Sequence, residues 1–233
     1  MNLPIQPIKN RLLAGLPLED LAQLTEHFEP IRLPKKQVLY EVGAPLDHVY
    51  FIEEGLASVI TTMEDGASSE VGMVGPEGLV GVSALLGGTA SAQYVVMQLP
   101  GRGHQIAAKH CKSIFDQSAP MRKVVLRFIE DLLNLSSQTA GCNRLHLVEQ
   151  RSARWLLMAS DRTGSNVLPL TQEFLAAMLG VRRSGVSEAM SELQRSGFVR
   201  YRRGEITIID RAGLEATACE CYGLDKERVN RLL

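Results

Sequence analysis

The stretch "LGVRRSGVSEAMSEL", Leu179–Leu193, follows "LTQEFLAAM" (170–178) without interruption. It sets two arginines side by side where one apolar-patterned segment turns into another. Gly180 offers the positive φ that a tight turn between helices needs. Thr171 precedes "QEFLAAM", and its hydroxyl can accept an orphan backbone N–H at a helix start. Leu175 and Leu179 line one face of the first segment, and Ala176 is small where two helices would cross. Val181, Val186, Met190 and Leu193 are expected to face the core. This is a helix-turn-helix layout.

The second segment decides what the arginines face. On a helical wheel with Arg183 at zero, Ser187 falls at ~40°, Ser191 at ~80°, Ser184 at ~100° and Glu188 at ~140°. Val186, Ala189, Met190 and Leu193 take the opposite arc. One side is therefore apolar, and the other carries a guanidinium, hydroxyls and a carboxylate. Arg183 opens the polar side, whereas Arg182 starts on the core side and must swing outward. A major groove admits a helix, and an arginine fork matches guanine O6 and N7. A solvated helix face is the commoner fate of such a surface. Two features weigh against it: the spacing around Gly180, and the basic "FVRYRRGEITIID" (198–210) just downstream. That stretch reads as strand, turn at Arg203-Gly204, strand. It makes a wing whose Arg202 and Arg203 would meet phosphates, which orient a protein on DNA without specifying sequence.

Charge distribution agrees. The 233-residue chain has a formal net charge of −1, split as −4 over 1–149 and +3 over 150–233. Between Arg151 and Arg211 ten basic residues stand against six acids. The C-terminal part suits a polyanion and the N-terminal part does not. The length suits two modest domains or one large one. No run approaches the ~18 apolar residues of a membrane span, so no membrane partner is expected. No basic region followed by an apolar one opens the chain, so no secretory signal is expected. The four cysteines, at 111, 142, 219 and 221, suggest no disulfide framework, and a reducing cytoplasm is the expected compartment.

From Glu29 to Ala108 the text reads as short strands: "IRLPKKQVLY", "HVYFIEEG", "LASVITTM", "SSEVGMV" and "QYVVMQLP". Gly43, Asp65-Gly66, Gly75-Pro76 and Gly87-Gly88 punctuate them, a spacing that suggests a sandwich, barrel or jelly roll. Residues 11–28 read as short helices leading in. After Pro120 the period changes. Met121, Val125, Phe128, Leu132, Leu135, Thr139 and Cys142 keep a 4-3 spacing, a heptad seam. A second stripe of Val124, Ile129 and Leu133 lies off it, so the helix has two partners to satisfy. One is the β domain, and the other is expected to be the same helix of a second chain through Val125, Phe128, Leu132, Leu135 and Thr139. An ordinary buried helix is the alternative. Gly141 marks a break or hinge, "LHLVEQRSARWLLMASD" an amphipathic helix, and "GSNVLPLT" a loop.

In this order of parts the chain resembles the CRP/FNR superfamily of bacterial transcription regulators. The resemblance rests on "LPKKQVLYEVGAPLDHVYFIEEGLASV" with turns at Gly43 and Gly55, on "VGPEGLVGVSALLGG", on the long helix and on the winged helix-turn-helix. It implies an α+β fold: an N-terminal jelly-roll-like β-roll sensor domain (1–118), a dimerisation helix (119–143) and a C-terminal winged helix-turn-helix (144–233). It further implies a homodimer on a two-fold site in double-stranded DNA, with half-sites about one helical turn apart, and contact with RNA polymerase. The candidate DNA-binding residues are Thr171, Gln172, Arg182, Arg183, Ser184, Ser187, Glu188, Ser191, Arg202 and Arg203. The family's recognition arginine falls on Arg183. A family glutamate is replaced by Ser184 and a later arginine by Glu188, so the operator cannot be carried over.

Cyclic-nucleotide sensors of this family resemble one another at a Gly-Glu-Leu and an Arg-Ser/Thr-Ala. Here those positions read Gly81-Val82-Ser83 and Ala90-Ser91-Ala92. A buried phosphate would lack its counter-charge, so the expected effector is not cyclic AMP, or there is none. A pocket near Val82, Ser83, Ser91, Leu132 and Ser136 would suit a neutral or apolar ligand. The iron–sulfur members' N-terminal cysteines are absent. His104 or His110 could offer a haem an axial donor, but a lone surface histidine is the commoner case. Cys219 and Cys221 would point apart on a helix and lack a second pair, so no metal and no cofactor are expected. A cupin-like metal enzyme would need clustered histidines, and the five here are scattered. No enzyme is expected. A winged helix used for protein contacts remains the other alternative.

Overall fold

Two strands can cross at backbone contact only where one of them has no side chain. Gly101 and Gly103 meet that condition: a Cβ there would stand 1.7 Å from the Glu54 carbonyl oxygen and 2.1 Å from that of Phe51. In the computed structural model, which describes residues 8–231, these glycines lie in the strand around which the first of two compact units is built. That unit comprises residues 8–58, 74–132 and 229–231, and the second comprises 59–73 and 133–228.

The first unit opens with two short helices, α1 (Arg11–Ala14) and α2 (Leu18–Thr25). Buried Asn10 anchors them. Its Oδ1 accepts the Leu13 N–H at 3.1 Å, and its Nδ2 donates to the carbonyls of Ile52 and Gly78 at 2.8 and 2.7 Å. The strands are β1 (Glu29–Leu33), β2 (Val38–Tyr40), β3 (His48–Thr62), β4 (Ser68–Val74), β5 (Leu79–Val80) and β6 (Tyr94–Ala107), with helix α3 (Val82–Leu85) between the last two. β6 pairs antiparallel with both β1 and β2, and β5 pairs antiparallel with β3. Helix α4 (Ala108–Gln117) leads into α5 (Ala119–Leu145), whose start is capped where the Ser118 hydroxyl accepts the Met121 N–H at 3.0 Å.

The strand expectations need correction. "IRLPKKQVLY" is two strands, because Lys36 turns the backbone with φ 70°. "HVYFIEEG" and "LASVITTM" are one strand: β3 runs straight through Gly55, whose φ of 96° lets the backbone pass the carbonyls of Leu99 and Pro100. β6 extends through "GRGHQIA", where the glycines hide the strand pattern.

The second unit holds the outer end of β3 and most of β4, joined by a turn over 63–67 in which Met63 N–H donates to the Ala67 carbonyl at 2.7 Å. The later half of α5, then α6 (Val148–Thr163), β7 (Val167–Leu168), α7 (Gln172–Leu179), α8 (Arg183–Arg195), β8 (Val199–Arg202), β9 (Glu205–Ile208), α9 (Arg211–Thr217) and α10 (Cys221–Arg231) follow. "GSNVLPLT" is thus not wholly a loop, because β7 adds to β9 and makes a three-stranded sheet. Nor does Gly141 break its helix. α5 continues to Leu145, and the change of direction comes at His146-Leu147.

Helix α6 is the core of this unit. Ala153, Leu156, Leu157 and Ala159 have no exposed surface. Three of its arginines, Arg151, Arg154 and Arg162, are also buried. Arg151 donates to the Leu179 carbonyl, and Arg154 to the Thr139 hydroxyl at 3.1 Å. Arg162 grips Asp225 with two bonds of 2.9 and 3.1 Å. Trp155 Nε1 donates to Glu70 at 2.8 Å, tying α6 to the β3–β4 hairpin. Among the described residues no helix is long and apolar enough to cross a membrane.

The seam of α5 also reads differently in three dimensions. Val125, Phe128 and Leu135 are buried within their own chain, with Phe128 occupying the space left by Gly78. Leu132 and Thr139 are half-buried. The heptad spacing traces the side of α5 that faces its own chain. Leu126 and Leu133, one heptad apart, are left open, 48% and 64% exposed, as is Leu145 at the end of the helix.

Candidate nucleic-acid interface

The geometry of α7 and α8 follows from their ends. Thr171 caps α7 by accepting the Phe174 N–H at 3.1 Å. Gly180 closes it with φ 61°, and the Val181 N–H returns to the Ala176 carbonyl at 3.0 Å. Ser69 of the hairpin stands beside this turn, 3.1 Å from where a Cβ on Gly180 would be. Leu175, Val186, Met190 and Leu193 are at most 1% exposed. Full burial of such side chains contributes about 1.5–3 kcal/mol each, which fixes the rotation of α8. Val181 is only half-buried.

That rotation leaves Arg182, Arg183, Ser184, Glu188 and Ser191 exposed and Ser187 half-buried. Arg182 is the N-cap residue of α8, with extended backbone, so its side chain departs before the helix begins. Arg183 pairs loosely with Glu173 at 3.8 Å, both largely exposed. The Ser187 hydroxyl donates to Gln172 Oε1 at 2.9 Å, linking the two helices, and the Ser191 hydroxyl donates back to the Ser187 carbonyl at 2.7 Å. Thr171 and Gln172 therefore already have internal bonds.

The wing is a two-residue hairpin. Arg203 (φ 50°) and Gly204 (φ 80°) both have positive φ, as a primed turn requires, and Arg202 pairs with Glu205. Arg200, Arg202 and Arg203 are exposed. Arg200 was missed in the sequence, although its alternation with Arg202 along one strand signals it. Of the ten arginines counted from Arg151 to Arg211, three are buried in α6, and Arg211 pairs with Asp161 and Glu215. Arg195, at the end of α8, is paired with Glu192 at 2.6 Å. The basic face therefore narrows to Arg182, Arg183, Arg200, Arg202 and Arg203, all at α8 and the wing.

Ser91 is buried, its hydroxyl donating to the Gln93 carbonyl at 2.7 Å, and Ser83 is exposed on α3. Val82 and Leu132 are half-buried, and Ser136 donates to the Val71 carbonyl at 2.8 Å within the second unit. A cavity in that unit, lined by Glu70, Leu135, Arg151, Trp155 and Met178 among others, has room of about 20 Å³, enough for a single water. None of the five expected effector residues lines it. His104 and His110 are not lone surface residues: His110 stacks on His27 at 4.3 Å and His104 on Phe28 at 5.0 Å. The reasoning against Cys219 and Cys221 also fails. They do not share a helix, because α9 ends at Thr217 and α10 starts at Cys221, and a second pair, Cys142 and His146, lies beside them. Cys111 is apart, its thiol pushed up to about 12 by burial.

With this geometry in view, comparison with known proteins is direct. Residues 30–118 match the cyclic nucleotide-binding domain model and 150–217 the Crp-like helix-turn-helix domain model. The transcriptional regulatory protein btr of Bordetella pertussis is 26% identical over 212 residues, 86% of each chain. The transcriptional regulator SdrP of Thermus thermophilus is 28% identical over 190 residues, 78% of this chain and 89% of its own. A crystal structure of a CRP/FNR-family transcriptional regulator from Thermus thermophilus superposes with TM-score 0.68 at 23% identity, covering 82% of this chain and 98% of that one. A β-sheet domain, a long helix and a helix-turn-helix in this order define a two-part transcription regulator. The chain belongs to the CRP/FNR family.

Proposed function

We propose that the chain is a homodimeric, sequence-specific DNA-binding regulator that inserts α8 of each protomer into the major groove and lays the wing along the flanking backbone. The observation that carries this reading is the face of α8 that presents Arg183, Ser184, Glu188 and Ser191 to solvent, with Arg182 exposed at its N-cap and exposed arginines on the wing. Arg183 reads a base edge. Arg182, Arg202 and Arg203 neutralise phosphates, and Thr171 and Gln172 support the helix start. By family likeness the bound dimer contacts RNA polymerase in the cytoplasm, and the chain is not an enzyme. Its effector is not cyclic AMP, or it has none, since Val82, Ser83 and Ser91 bring no charge for a phosphate.

Salt tests the interface. Each neutralised phosphate adds about −0.9 to the slope of log K against log salt. Three such arginines per protomer give a dimer a slope of about −5, measured by duplex binding at several salt concentrations. A slope near zero would point to a protein-contact module. The dimer surface is the open stripe of α5. Leu133→Glu is expected to produce monomers in sedimentation experiments while leaving the fold's helix content intact, because Leu133 is 64% exposed in the single chain.

A further inference from the structure

Three cysteines and a histidine converge at the end of α5. Cys142 and His146 are four residues apart, and the His146 N–H still donates to the Cys142 carbonyl at 3.1 Å, so both side chains leave the same face of the last turn. Cys219 and Cys221 bracket the turn between α9 and α10, where the Tyr222 N–H donates to the Cys219 carbonyl at 3.0 Å. The ligand atoms of all four residues lie within 4.8 Å of one another. Cys142 Sγ is 3.6 Å from Cys219 Sγ, and Cys221 Sγ is 3.6 Å from His146 Nδ1. We propose that Cys142, His146, Cys219 and Cys221 form a structural zinc site that binds the end of α5 to the α9–α10 turn.

The distances fit one ion. With Zn–S of about 2.3 Å and Zn–N of about 2.0–2.1 Å, the edges of the tetrahedron are about 3.5–3.8 Å long. Two edges are already that length, and the others close by small rotations of side chains. Donors packed within 4.8 Å leave no room for a cluster of several irons and sulfides. A sulfur separation of 3.6 Å is far beyond the ~2.05 Å of a disulfide.

The surroundings fit as well. His146 turns Nδ1 toward the thiols and sets Nε2 3.2 Å from Glu220 Oε1, the carboxylate–histidine arrangement that orients a metal-binding ring. Gln138 Nε2 points at Cys221 Sγ at 2.9 Å, as a donor does toward a thiolate. Three thiolates and a neutral imidazole on Zn²⁺ sum to one negative charge. The buried guanidiniums of Arg151 and Arg154 are close enough to act on these sulfurs and offset it. Buried free cysteines are common as small apolar side chains. Packing alone gives no reason for an imidazole nitrogen to face three sulfurs with a carboxylate behind it. Four protein donors and no open position make the site structural rather than catalytic.

The test uses the full-length chain, purified without a histidine tag and under reducing conditions. Elemental analysis is expected to give one zinc per chain. After removal of the zinc, added Co²⁺ is expected to give the visible absorption bands of a tetrahedral, thiolate-rich site in wild-type protein. Cys219→Ser and His146→Ala are expected to lose the metal, while Cys111→Ser retains it. Zinc below stoichiometry together with no cobalt spectrum in the folded wild type would overturn the assignment. So would stoichiometric iron or copper in its place, a Cys142–Cys219 disulfide without metal, or zinc retained in full by Cys219→Ser.

Discussion

Arg183→Ala is expected to lower affinity for the specific duplex by roughly 2–6 kcal/mol over two half-sites, about 30-fold or more, since a bidentate arginine–guanine pair contributes about 1–3 kcal/mol. The loss should be selective. Preference should relax at one base pair in each half-site, while the salt slope stays the same, because a base contact releases no counterion. Binding of a panel of duplexes varied at single positions measures both. A uniform loss across the panel with a shallower slope would place Arg183 on phosphate instead. The fold should not suffer, since the side chain is 67% exposed and its ion partner Glu173 is 76% exposed. An exposed pair of that kind contributes about 0–1 kcal/mol.

The second large effect concerns the buried Arg162–Asp225 pair. Asp225→Ala removes the carboxylate that the Arg162 guanidinium, 4% exposed, grips with two hydrogen bonds. Breaking a buried pair in this way costs about 3–5 kcal/mol, a large share of the ~5–15 kcal/mol that holds a domain folded. Urea denaturation should show the loss, and the double replacement Arg162→Met with Asp225→Leu should recover most of it. The pair also sets an acid limit. Burial alone would raise the Asp225 carboxyl, but the charge and hydrogen bonds of Arg162, with the charges of Arg154 and Arg228, together outweigh it and hold the group below its ordinary value. A carboxyl depressed on folding stabilises above the unfolded value of ~3.9 and loses that contribution as pH falls through the folded one. The wild-type midpoint should therefore fall on acidification below about pH 4, and the double replacement should flatten that part of the profile.

What the sequence shows and hides follows a physical division. The rotation of α8 was legible because Val186, Ala189, Met190 and Leu193 recur at helical spacing and Gly180 marks the turn. Local pattern decides such a helix. The orientation of α5 was not legible. A 4-3 spacing describes any buried stripe, and only the space left by Gly78, some 50 residues earlier in the chain, shows that Phe128 turns inward. Strand boundaries failed where glycine served close approach rather than turning, at Gly55, Gly101 and Gly103. Counting charge overstated the basic face, because Arg162 has its partner in Asp225 and three arginines of α6 lie inside. The thiol–imidazole cluster was missed because Cys142 and Cys219 are 77 positions apart. The i, i+4 spacing of Cys142 and His146 was the available signal.

The most direct test is selection from randomised duplex by the wild-type chain at physiological salt. Enrichment of one two-fold-symmetric site is expected, with half-sites about one helical turn apart, and its loss in Arg183→Ala at one position per half-site. Failure to enrich any duplex, or enrichment of a single half-site by a chain that stays monomeric, would contradict it.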